Sequence, residues 1–441
     1  MTVDTGADNM LHSDQLPKPG AADPRAISVL ALYPSDSAEH SYGSRREDLR
    51  DHLTRFAGPS LLARSRDRSL VELIDTANIT GHGGGHFPVA RKWQAVLDLG
   101  GPVTVIANGA EGEPLSAKDA ALLQLRPHQV LDGAQLAAGV TKAHQIIFWL
   151  HASAAASRYS IENALRERTV AGFRELPVRI MMGPDRYLSG EMTAVARGVA
   201  GGPALPTYQP VPGPPVDQHG NIKLIHNVET LAKVAQVAFG GTSPARLLTI
   251  FTGNARVVAA AGPRVTIGSA IAQAHQAVGV PPHPLQAVLL GGYGGQWVPW
   301  HAAADLPVAE HELRKRGLSL GAGVVAPLAA DTCGVRQSAA VFRYLADGSA
   351  RQCGPCMFGL PATAELLDEL AFHKMRRSEA RRMDKYMEQL VKRGACAHPD
   401  GAIRMLTSAL DTFSEDVASH KRSGRCLHSG NGPAFPIPSA S

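Results

Sequence analysis

The stretch VTVIANGAEGEP, residues 103–114, joins a short apolar run to a turn rich in glycine and glutamate. The run from Val103 to Ala107 has the length and apolar character of a buried strand. The turn places Glu111 and Glu113 just past the carboxyl end of that strand, where open α/β sheets bind their ligands. Two alternating carboxylates also suit acid–base hydrolysis, or they form a solvated acidic turn. We therefore expect a sheet whose edge carries a candidate binding site.

Two similar apolar runs follow at residues 145–150 and 178–182, and helical patterns separate them. The helical patterns lie at residues 117–139, 155–168 and 190–199. Alternation of strand and helix is typical of a parallel sheet with helices on its faces. Residues 46–246 are therefore predicted to form a Rossmann-like αβα domain.

The chain continues into two further units, with an arm before them and a tail after them. Residues 1–45 mix Gly, Pro, Asp and Ser without a sustained period, and we expect a flexible arm. Residues 247–332 show the order strand, strand, helix, strand, which indicates a compact α+β unit such as a β-grasp. Residues 333–425 carry only helical patterns, which predict a four-helix bundle. Residues 426–441 are rich in Ser, Gly and Pro and are predicted to be loose.

Composition argues against several classes of protein. The net charge of +5 is small for 441 residues, and aromatic residues, at 5%, do not interleave the basic patches, so nucleic-acid binding is not favoured. No apolar run approaches the ~18 residues of a membrane span, and residues 1–20 lack the features of a secretory signal. We expect a cytoplasmic protein that does not itself span a membrane. Its five cysteines then suit metal or cluster binding better than disulfides.

Three cysteines carry the clearest metal-binding signal. Cys353 and Cys356 form a CxxC between the first two helices of the predicted bundle, and Cys396 lies between the last two. These connections share one end of an antiparallel bundle, so three thiolates could bind one iron–sulfur cluster or a zinc ion. The plainer alternative is that they are small buried apolar residues. A fourth thiolate would come from Cys333 or Cys426, and neither has a diagnostic spacing.

The run GHGGGHFP, residues 81–88, contains four glycines in five residues. Such a run lets the backbone approach a ligand closely, although a surface turn is the simpler interpretation. It follows a predicted helix and does not match the dinucleotide fingerprint GxGxxG. His82 and His86 are four residues apart, but a glycine-rich loop offers no fixed helical face, so a metal there is not favoured. Lys92 and Trp93 follow the run closely.

Together these motifs resemble the F-type, flavin- and NADH-binding subunit of bacterial respiratory complex I and related subunits of NAD-linked hydrogenases and formate dehydrogenases. The glycine run with Lys92 and Trp93 is similar to GRGGAGFPTGxKW, and residues 108–114 are similar to NADEGEP. Residues 187–194 resemble YxCGEETA, and residues 227–230 read NVET. The cysteines of the bundle fall on three of the four cluster positions of the family.

The resemblance implies an αβα flavin domain, a β-grasp (SLBB-like) middle domain and a helical bundle with a [4Fe–4S] cluster. FMN would lie over the glycine run, NADH would give it a hydride, and single electrons would pass through the cluster to a ferredoxin-like or membrane-bound partner. Glu113 and Phe87 would help to place NADH, and Lys92 would stabilise reduced flavin. The implied cofactor-binding residues are Gly81, Gly83, Gly84, Phe87, Lys92, Asn108, Glu111, Tyr187, Gly190, Glu191, Asn227 and Thr230. The implied cluster ligands are Cys353, Cys356 and Cys396.

The departures from the family pattern fall at the NADH pocket and at the cluster. Ala110 and Met192 replace acidic residues, Ala95 replaces an aromatic residue, and residues 203–209 lack the family's Arg and Lys. Ala350 stands where the family has its first cluster cysteine, which leaves open a replacement ligand, a three-iron cluster or no cluster. The main hypothesis is an electron-transfer subunit with FMN and an iron–sulfur cluster. The alternative is a non-catalytic paralogue that serves as a binding or assembly subunit.

Overall fold

The computed structural model describes residues 27–31, 45–56, 69–211, 213–241, 245–253, 255–428 and 434–438. Its strands are β1 (Ile27–Ala31), β2 (Val103–Asn108), β3 (Gln145–His151), β4 (Val178–Gly183), β5 (Ile222–Asn227), β6 (Arg246–Phe251), β7 (Arg256–Ala261), β8 (Leu285–Leu290), β9 (Gln296–Pro299) and β10 (Val324–Ala329). Helices before β6 are α1 (Leu49–Arg55), α2 (Ser69–Thr76), α3 (Val89–Leu99), α4 (Lys118–Leu125), α5 (Pro127–Val140), α6 (Ala155–Val170), α7 (Met192–Val199) and α8 (Val228–Ala238). Later helices are α9 (Ile267–Ala277), α10 (Trp300–Ala303), α11 (Glu310–Arg314), α12 (Gly334–Asp347), α13 (Leu360–Phe372), α14 (Arg377–Leu390), α15 (His398–Thr412) and α16 (Ser414–Ser423).

Strands β2 to β5 form a parallel sheet in the order β4-β3-β2-β5, which confirms the predicted α/β class. Helices α5 and α8 pack on one face, and their apolar side chains join those of the strands in one core. Asn108 at the end of β2 is in register with Asn227 at the end of β5. Because parallel strands share a direction, both amide side chains lie at the same edge of the sheet, where the binding site was predicted.

Strand β5 was not predicted, because charged or polar residues interrupt its apolar pattern. Lys223 is buried within it, and its ammonium group is 2.9 Å from Oδ2 of Asp217 in the preceding loop. This ion pair removes the main cost of burying the lysine. An apolar run alone therefore underestimates the width of the sheet.

A second, mixed sheet follows the first in the order β1-β7-β6-β10-β8-β9. Helix α9 packs against it, and Ile267 and Ile271 join the apolar side chains of β6 and β8. The predicted strand, strand, helix, strand order is present, with β9 and β10 added. The β-grasp topology and the domain boundaries stay predictions.

Strand β1 lies within residues 1–45, which were predicted to be a flexible arm. For residues 27–31 that prediction is wrong, because β1 pairs in parallel with β7 at the edge of the mixed sheet. The side chains of Ile27 and Val29 pack against the core of the parallel sheet. The rest of the predicted arm, up to residue 44, lies outside the described residues.

The helical region contains α12 to α16 and a short π-helical turn, Pro355–Gly359. The sequence predicted four helices here, and the last of them is divided at Phe413 into α15 and α16. Helix α12 packs against α13 and α15. The CxxC segment follows α12, and Cys396 precedes α15, so both cysteine-bearing connections meet at one end of the region, as predicted.

The carboxyl-terminal segment is packed where the structure describes it. Phe435 is 2% exposed, and its ring stacks on Trp297 with 5.7 Å between centroids. The backbone N–H groups of Ala434 and Phe435 donate to the side-chain oxygen of Gln337. The prediction of a loose tail is therefore wrong for residues 434–438, since one aromatic side chain anchors them in the core. No helix in the described ranges is long and apolar enough to cross a bilayer.

Candidate functional site

A cleft of about 370 Å³ opens between the carboxyl edge of the parallel sheet and the helical region. This volume falls within the range of small-molecule sites. Loops from three separate parts of the parallel-sheet domain meet there with the connection that precedes α15. The walls include nine residues that the sequence analysis assigned to cofactor or substrate: Gly83, Gly84, Asn108, Glu111, Glu113, Tyr187, Gly190, Glu191 and Asn227.

Close backbone contacts explain several glycines of the cleft. A side-chain carbon on Gly190 would collide with the carbonyl oxygen of Ala110, and one on Gly112 would collide with the carbonyl oxygen of Tyr187. Gly84 has a φ of +99°, a conformation that L side chains rarely adopt. Glycine therefore lets three loops approach each other around one open space.

A buried ammonium group lies at the floor of the cleft. Nζ of Lys118 is 2.5 Å from Oδ1 of Asp119 and 3.3 Å from Oε2 of Glu229. It also donates to Oδ1 of Asn227 at 3.5 Å. Burial lowers the pKa of Lys118, but the two carboxylates outweigh that effect and raise the pKa above its ordinary value. The ammonium group therefore stays protonated at neutral pH, paired with the two carboxylates.

Asn227 joins this group to the start of helix α8. Its amide nitrogen donates to Oδ2 of Asp119 at 2.6 Å, and its side-chain oxygen accepts from the N–H of Glu229 at 2.9 Å. The second bond is an N-cap of α8. On the neighbouring strand, the side-chain amide of Asn108 likewise joins the sheet edge to a loop, because it donates to the carbonyl of Gly190 at 2.8 Å.

Two carboxyl groups of the cleft have strongly shifted acidity. Burial raises the pKa of Glu111 to about 8, and the charge of Asp119 adds to that shift. Burial also raises the pKa of Glu113 to about 8, although Oε2 of Glu113 accepts a 2.8 Å bond from the N–H of Tyr293. Both groups can therefore exchange a proton near neutral pH.

The helical region supplies the opposite wall. Cys396, Ala397 and His398 line the cleft. The ring of Tyr187 lies 5.5 Å from that of His398, centroid to centroid. Arg404 donates to the carbonyl of Gly294 at 2.5 Å. The connection that carries a predicted cluster ligand is therefore part of the same cleft as the glycine loop.

Four of the predicted cofactor-binding residues lie around or behind the walls of the cleft. The N–H of Gly81 donates to the carbonyl of Phe87 at 2.9 Å and closes the glycine loop. Oγ1 of Thr230 accepts from the N–H of His82 at 2.9 Å and supports the loop from below. The Phe87 side chain is 55% exposed. Lys92 donates to the main-chain carbonyl of Ile225 on β5.

Burial also changes the acidity of Lys92 and of a histidine behind the loop. It lowers the pKa of Lys92 to about 8 and places the pKa of His82 well below its ordinary value. Nδ1 of His82 is 3.6 Å from Glu229, whereas Nε2 of His86 is 3.2 Å from Glu310. The two histidines therefore face different carboxylates.

Glu191 serves local structure as well as the cleft. Its carboxylate accepts from the N–H groups of Thr193 at 2.9 Å and Ala194 at 3.1 Å, which caps helix α7. The family motif GEE thus retains the glutamate that begins the helix.

The three predicted cluster cysteines lie within electrostatic reach of one another. Burial, followed by the neighbouring charges of Cys353 and Cys396, raises the pKa of Cys356 to about 12. Burial raises the pKa of Cys396 to about 11. A metal or cluster would reverse these shifts, because a coordinating thiol is deprotonated. The hydroxyl of Ser349 lies beside Cys356 and opposes part of the increase in its pKa.

Cys333 does not belong to this group, which corrects the suggestion that it replaces the missing ligand. It is the N-cap residue of α12, whereas the cluster cysteines lie beyond the other end of that helix. Helix α12 has 14 residues. At 1.5 Å per residue it separates the two ends by about 21 Å. Cys333 instead lies beside His420 and Cys426.

The sequence analysis missed several residues that shape the cleft. Lys118 and Asp119 were not assigned to the site. Glu229 was seen only as a member of NVET, and His398 and Arg404 were not noted. The Lys-Asp pair directly follows the acidic turn, so it was an available signal. The contributions of α15 depend on tertiary packing and had no local signal.

Two family models match these parts of the chain. The Nuo51 FMN-binding domain matches residues 74–236, which contain the parallel sheet and the glycine loop. The NADH-ubiquinone oxidoreductase-F iron-sulfur binding region matches residues 336–420, which contain the three cysteines. The chain thus combines a flavin-binding domain with an iron–sulfur binding region.

Relatives align with this chain along most of its length. The F 2 subunit of the NADH-quinone oxidoreductase of Rhizobium meliloti is 25% identical over 379 residues, 81% of this chain and 90% of the relative. The F-type subunit of the same enzyme in Streptomyces coelicolor is 24% identical over 373 residues, 80% of this chain and 82% of the relative. A solved NAD⁺-reducing [NiFe]-hydrogenase shares the fold, with a TM-score of 0.72 and 21% identity over 87% of this chain and 72% of that chain. The chain is therefore similar to F-type subunits along about four fifths of its length.

Proposed function

We propose that this protein is an electron-transfer subunit that holds FMN in the cleft and an iron–sulfur cluster on Cys353, Cys356 and Cys396. The observation that carries the proposal is the shared wall between the two sites. Cys396 lines the same cleft as Gly83 and Gly84. A flavin bound over the glycine loop would therefore lie next to the cluster, as electron transfer between them requires.

The residues of the cleft fit a flavin nucleotide. FMN, when bound, supplies the chemistry of accepting an electron pair and releasing single electrons. The glycine loops offer a surface without side chains above the ammonium group of Lys118, which is paired with two carboxylates. Asn108 and Asn227 hydrogen-bond the loop at Gly190 and the start of α8 to the edge of the sheet. We assign Lys92 to a supporting position beneath the loop, where its ammonium group contributes positive charge to the site.

The cysteine set fits a cluster with three protein thiolates. Such a set suits a three-iron cluster, or a four-iron cluster in which a non-cysteine ligand holds one iron. Iron and acid-labile sulfide assays, together with low-temperature electron paramagnetic resonance of the oxidised protein, distinguish the two forms.

NADH is the proposed electron donor, with Glu113 and Phe87 at the cleft. The pKa of Glu113, raised to about 8 by burial, lets this carboxyl hold or release a proton beside the substrate. The side chain of Phe87 is largely exposed, so it can cover a bound nicotinamide. The loss of acidic groups at Ala110 and Met192 argues for weaker NADH binding than in the family.

A spectroscopic titration tests the proposed function. The full chain is purified without oxygen, and its absorbance is followed during addition of NADH and then dithionite. Bleaching of a flavin band by NADH supports the proposal in full. A flavin that responds only to dithionite points to another donor. A colourless protein without iron would overturn the proposal and favour the non-catalytic paralogue.

Asn227→Ser tests the flavin position. Serine still caps helix α8, but it cannot reach Asp119 as the longer amide does. We expect most bound FMN to be lost while the far-ultraviolet circular dichroism stays that of the wild type. Asn221→Ala is the matched control, because Asn221 hydrogen-bonds only within its own loop to Asp217. Full flavin occupancy in Asn227→Ser would count against the assignment of the cleft.

A redox partner subunit is proposed to dock beside the cluster. Met357 and Phe358 directly follow Cys356 and are 49% and 70% exposed. Exposed apolar side chains next to a redox centre suit a ferredoxin-like subunit, which needs a short electron path and a small interface. Phe358→Ser should slow reduction of a ferredoxin and leave reduction of ferricyanide unchanged. Tyr159→Ser, at an exposed position on α6, should change neither rate.

The cytoplasmic location remains part of the proposal. It follows from the requirement that the cluster cysteines stay available as thiolates, which reducing compartments maintain. Any link to a membrane would come through partner subunits.

A further inference from the structure

A second group of soft ligands lies away from the proposed cluster. Nε2 of His420 is 3.3 Å from Sγ of Cys333. With Sγ of Cys426, these three ligand atoms all lie within 4.8 Å of one another. Cys333 and His420 are buried, and Cys426 is partly buried. Cys333 therefore converges on one point with His420, 87 positions later in the sequence, and with Cys426.

The backbone around both sulfur atoms is arranged to favour thiolates. The N–H of Arg336 donates to Sγ of Cys333, and the N–H of His428 donates to Sγ of Cys426, each at 3.4 Å. Hydrogen bonds to the charged form favour that form of a titratable group. Metal ions bind thiolates rather than thiols, so these donors suit a metal site.

The imidazole ring is also turned toward the sulfur atoms. Nδ1 of His420 is buried and has no hydrogen-bond partner within the described residues, whereas Nε2 lies 3.3 Å from Sγ of Cys333. His420 therefore presents Nε2 to the two sulfur atoms.

We propose that Cys333, His420 and Cys426 bind a single zinc ion. Zinc bonds of about 2.0–2.3 Å place tetrahedral ligand atoms roughly 3.3–3.8 Å apart, and the sulfur–nitrogen distance agrees with this spacing. Two thiolates and one imidazole are the donors that zinc selects. A water molecule would complete the coordination.

The proposed ion would fasten three parts of the chain. Cys333 begins α12, His420 lies in the last turns of α16, and Cys426 leads into the carboxyl-terminal segment. That segment returns to the core at Phe435. The zinc ion therefore has a structural role, and it lies about one length of α12 from the cluster cysteines.

A disulfide between Cys333 and Cys426 is the competing interpretation. The imidazole of His420 would then contact a disulfide sulfur with no metal ion between them. It would also need an oxidant, whereas the cluster of the same chain needs thiolates. The observed ring placement and the two N–H donors are both explained by a cation, so the metal is favoured.

Elemental analysis of the full chain, purified without oxygen and without chelators, tests the proposal. We expect one zinc per chain in the wild type, in addition to iron. Cys426→Ser should lose zinc and keep iron, whereas Cys353→Ser should lose iron and keep zinc. Zinc retained in Cys426→Ser, or no zinc in the wild type after incubation with zinc sulfate, would overturn the proposal.

A second measurement does not depend on a variant that folds. Native wild-type protein is alkylated with iodoacetamide before and after zinc removal, and labelled cysteines are identified by mass spectrometry. Protection of Cys333 and Cys426 that is lost on zinc removal supports the site. A peptide pair joined through Cys333 and Cys426 would show a disulfide and contradict it.

Discussion

The two cysteine groups at opposite ends of helix α12 differ in the residues that surround them. Cys353, Cys356 and Cys396 adjoin the cleft and the exposed side chains that follow the CxxC. Cys333 and Cys426 lie with a histidine beside the core and hold the end of the chain. In the proposed assignment, sulfur ligands at one end of the helical region serve electron transfer and those at the other end serve architecture.

The largest effect is expected when one of the three proposed cluster ligands is replaced. Cys356→Ser should lose essentially all iron and all electron transfer to a protein acceptor, because only three thiolates are available there. Zinc content should stay at one per chain. Iron and zinc analysis with a ferredoxin reduction assay checks this, and loss of both metals together would show that the two groups are not independent.

Lys118→Met tests whether the floor of the cleft depends on its buried charge. The substitution leaves the carboxylates of Asp119 and Glu229 buried without their shared cation. Breaking such a group costs about 3–5 kcal/mol of the free energy of unfolding. We also expect loss of FMN. Anaerobic urea unfolding and flavin content measure the two effects.

The matched control is Lys385→Met, at an exposed position on α14. An exposed lysine of this kind should change stability by no more than about 0.5 kcal/mol. Equal stability of Lys118→Met and Lys385→Met would contradict the role assigned to the buried ion group.

Phe435→Ala tests how much the packing of the carboxyl-terminal segment contributes to stability. The ring lies between Trp297 and Phe251, each with 5.7 Å between centroids. Removing it leaves a cavity and should cost about 3 kcal/mol of the free energy of unfolding. Leu427→Ala, at an exposed position in the same segment, should have little effect. Thermal unfolding of the two variants beside the wild type gives the result.

A smaller effect is expected from pH. The folded protein holds Glu113 at a pKa of about 8, above the ordinary value of 4.5, so it binds more protons than the unfolded chain between these values. The free energy of unfolding should therefore fall as pH rises through that window. Glu113→Gln should remove up to about 1 kcal/mol per pH unit from this slope. Glu388→Gln, at an exposed position, should leave the slope unchanged, and identical slopes in all three proteins would refute the assignment.

The class of fold could be predicted from local patterns. Strands β1 and β5, each at the edge of a sheet, could not. The apolar runs at β2, β3 and β4 reveal the parallel sheet. Strand β5 was missed because Lys223 finds its partner Asp217 in a loop that the pattern does not cover. Strand β1 was missed because its packing surface is supplied by residues far along the chain.

The same limit explains which parts of the site could be predicted. Motifs identified the glycine loop, the acidic turn and the CxxC, because their residues are close in sequence, and the predicted bundle topology added Cys396. The charge on Lys118 depends on Glu229, more than a hundred residues away, and was not foreseen. Cys333, His420 and Cys426 have no shared spacing, so only the folded chain brings them together.

Tyr293 has a consequence for communication across the molecule. Its backbone N–H donates to the carboxyl of Glu113 in the cleft, and its hydroxyl donates to the carbonyl of Pro436. One residue thus links the proton balance of the cleft to the last described turns of the polypeptide. Displacement of residues 434–438 would break the bond of the Tyr293 hydroxyl, on the same residue whose backbone holds that carboxyl.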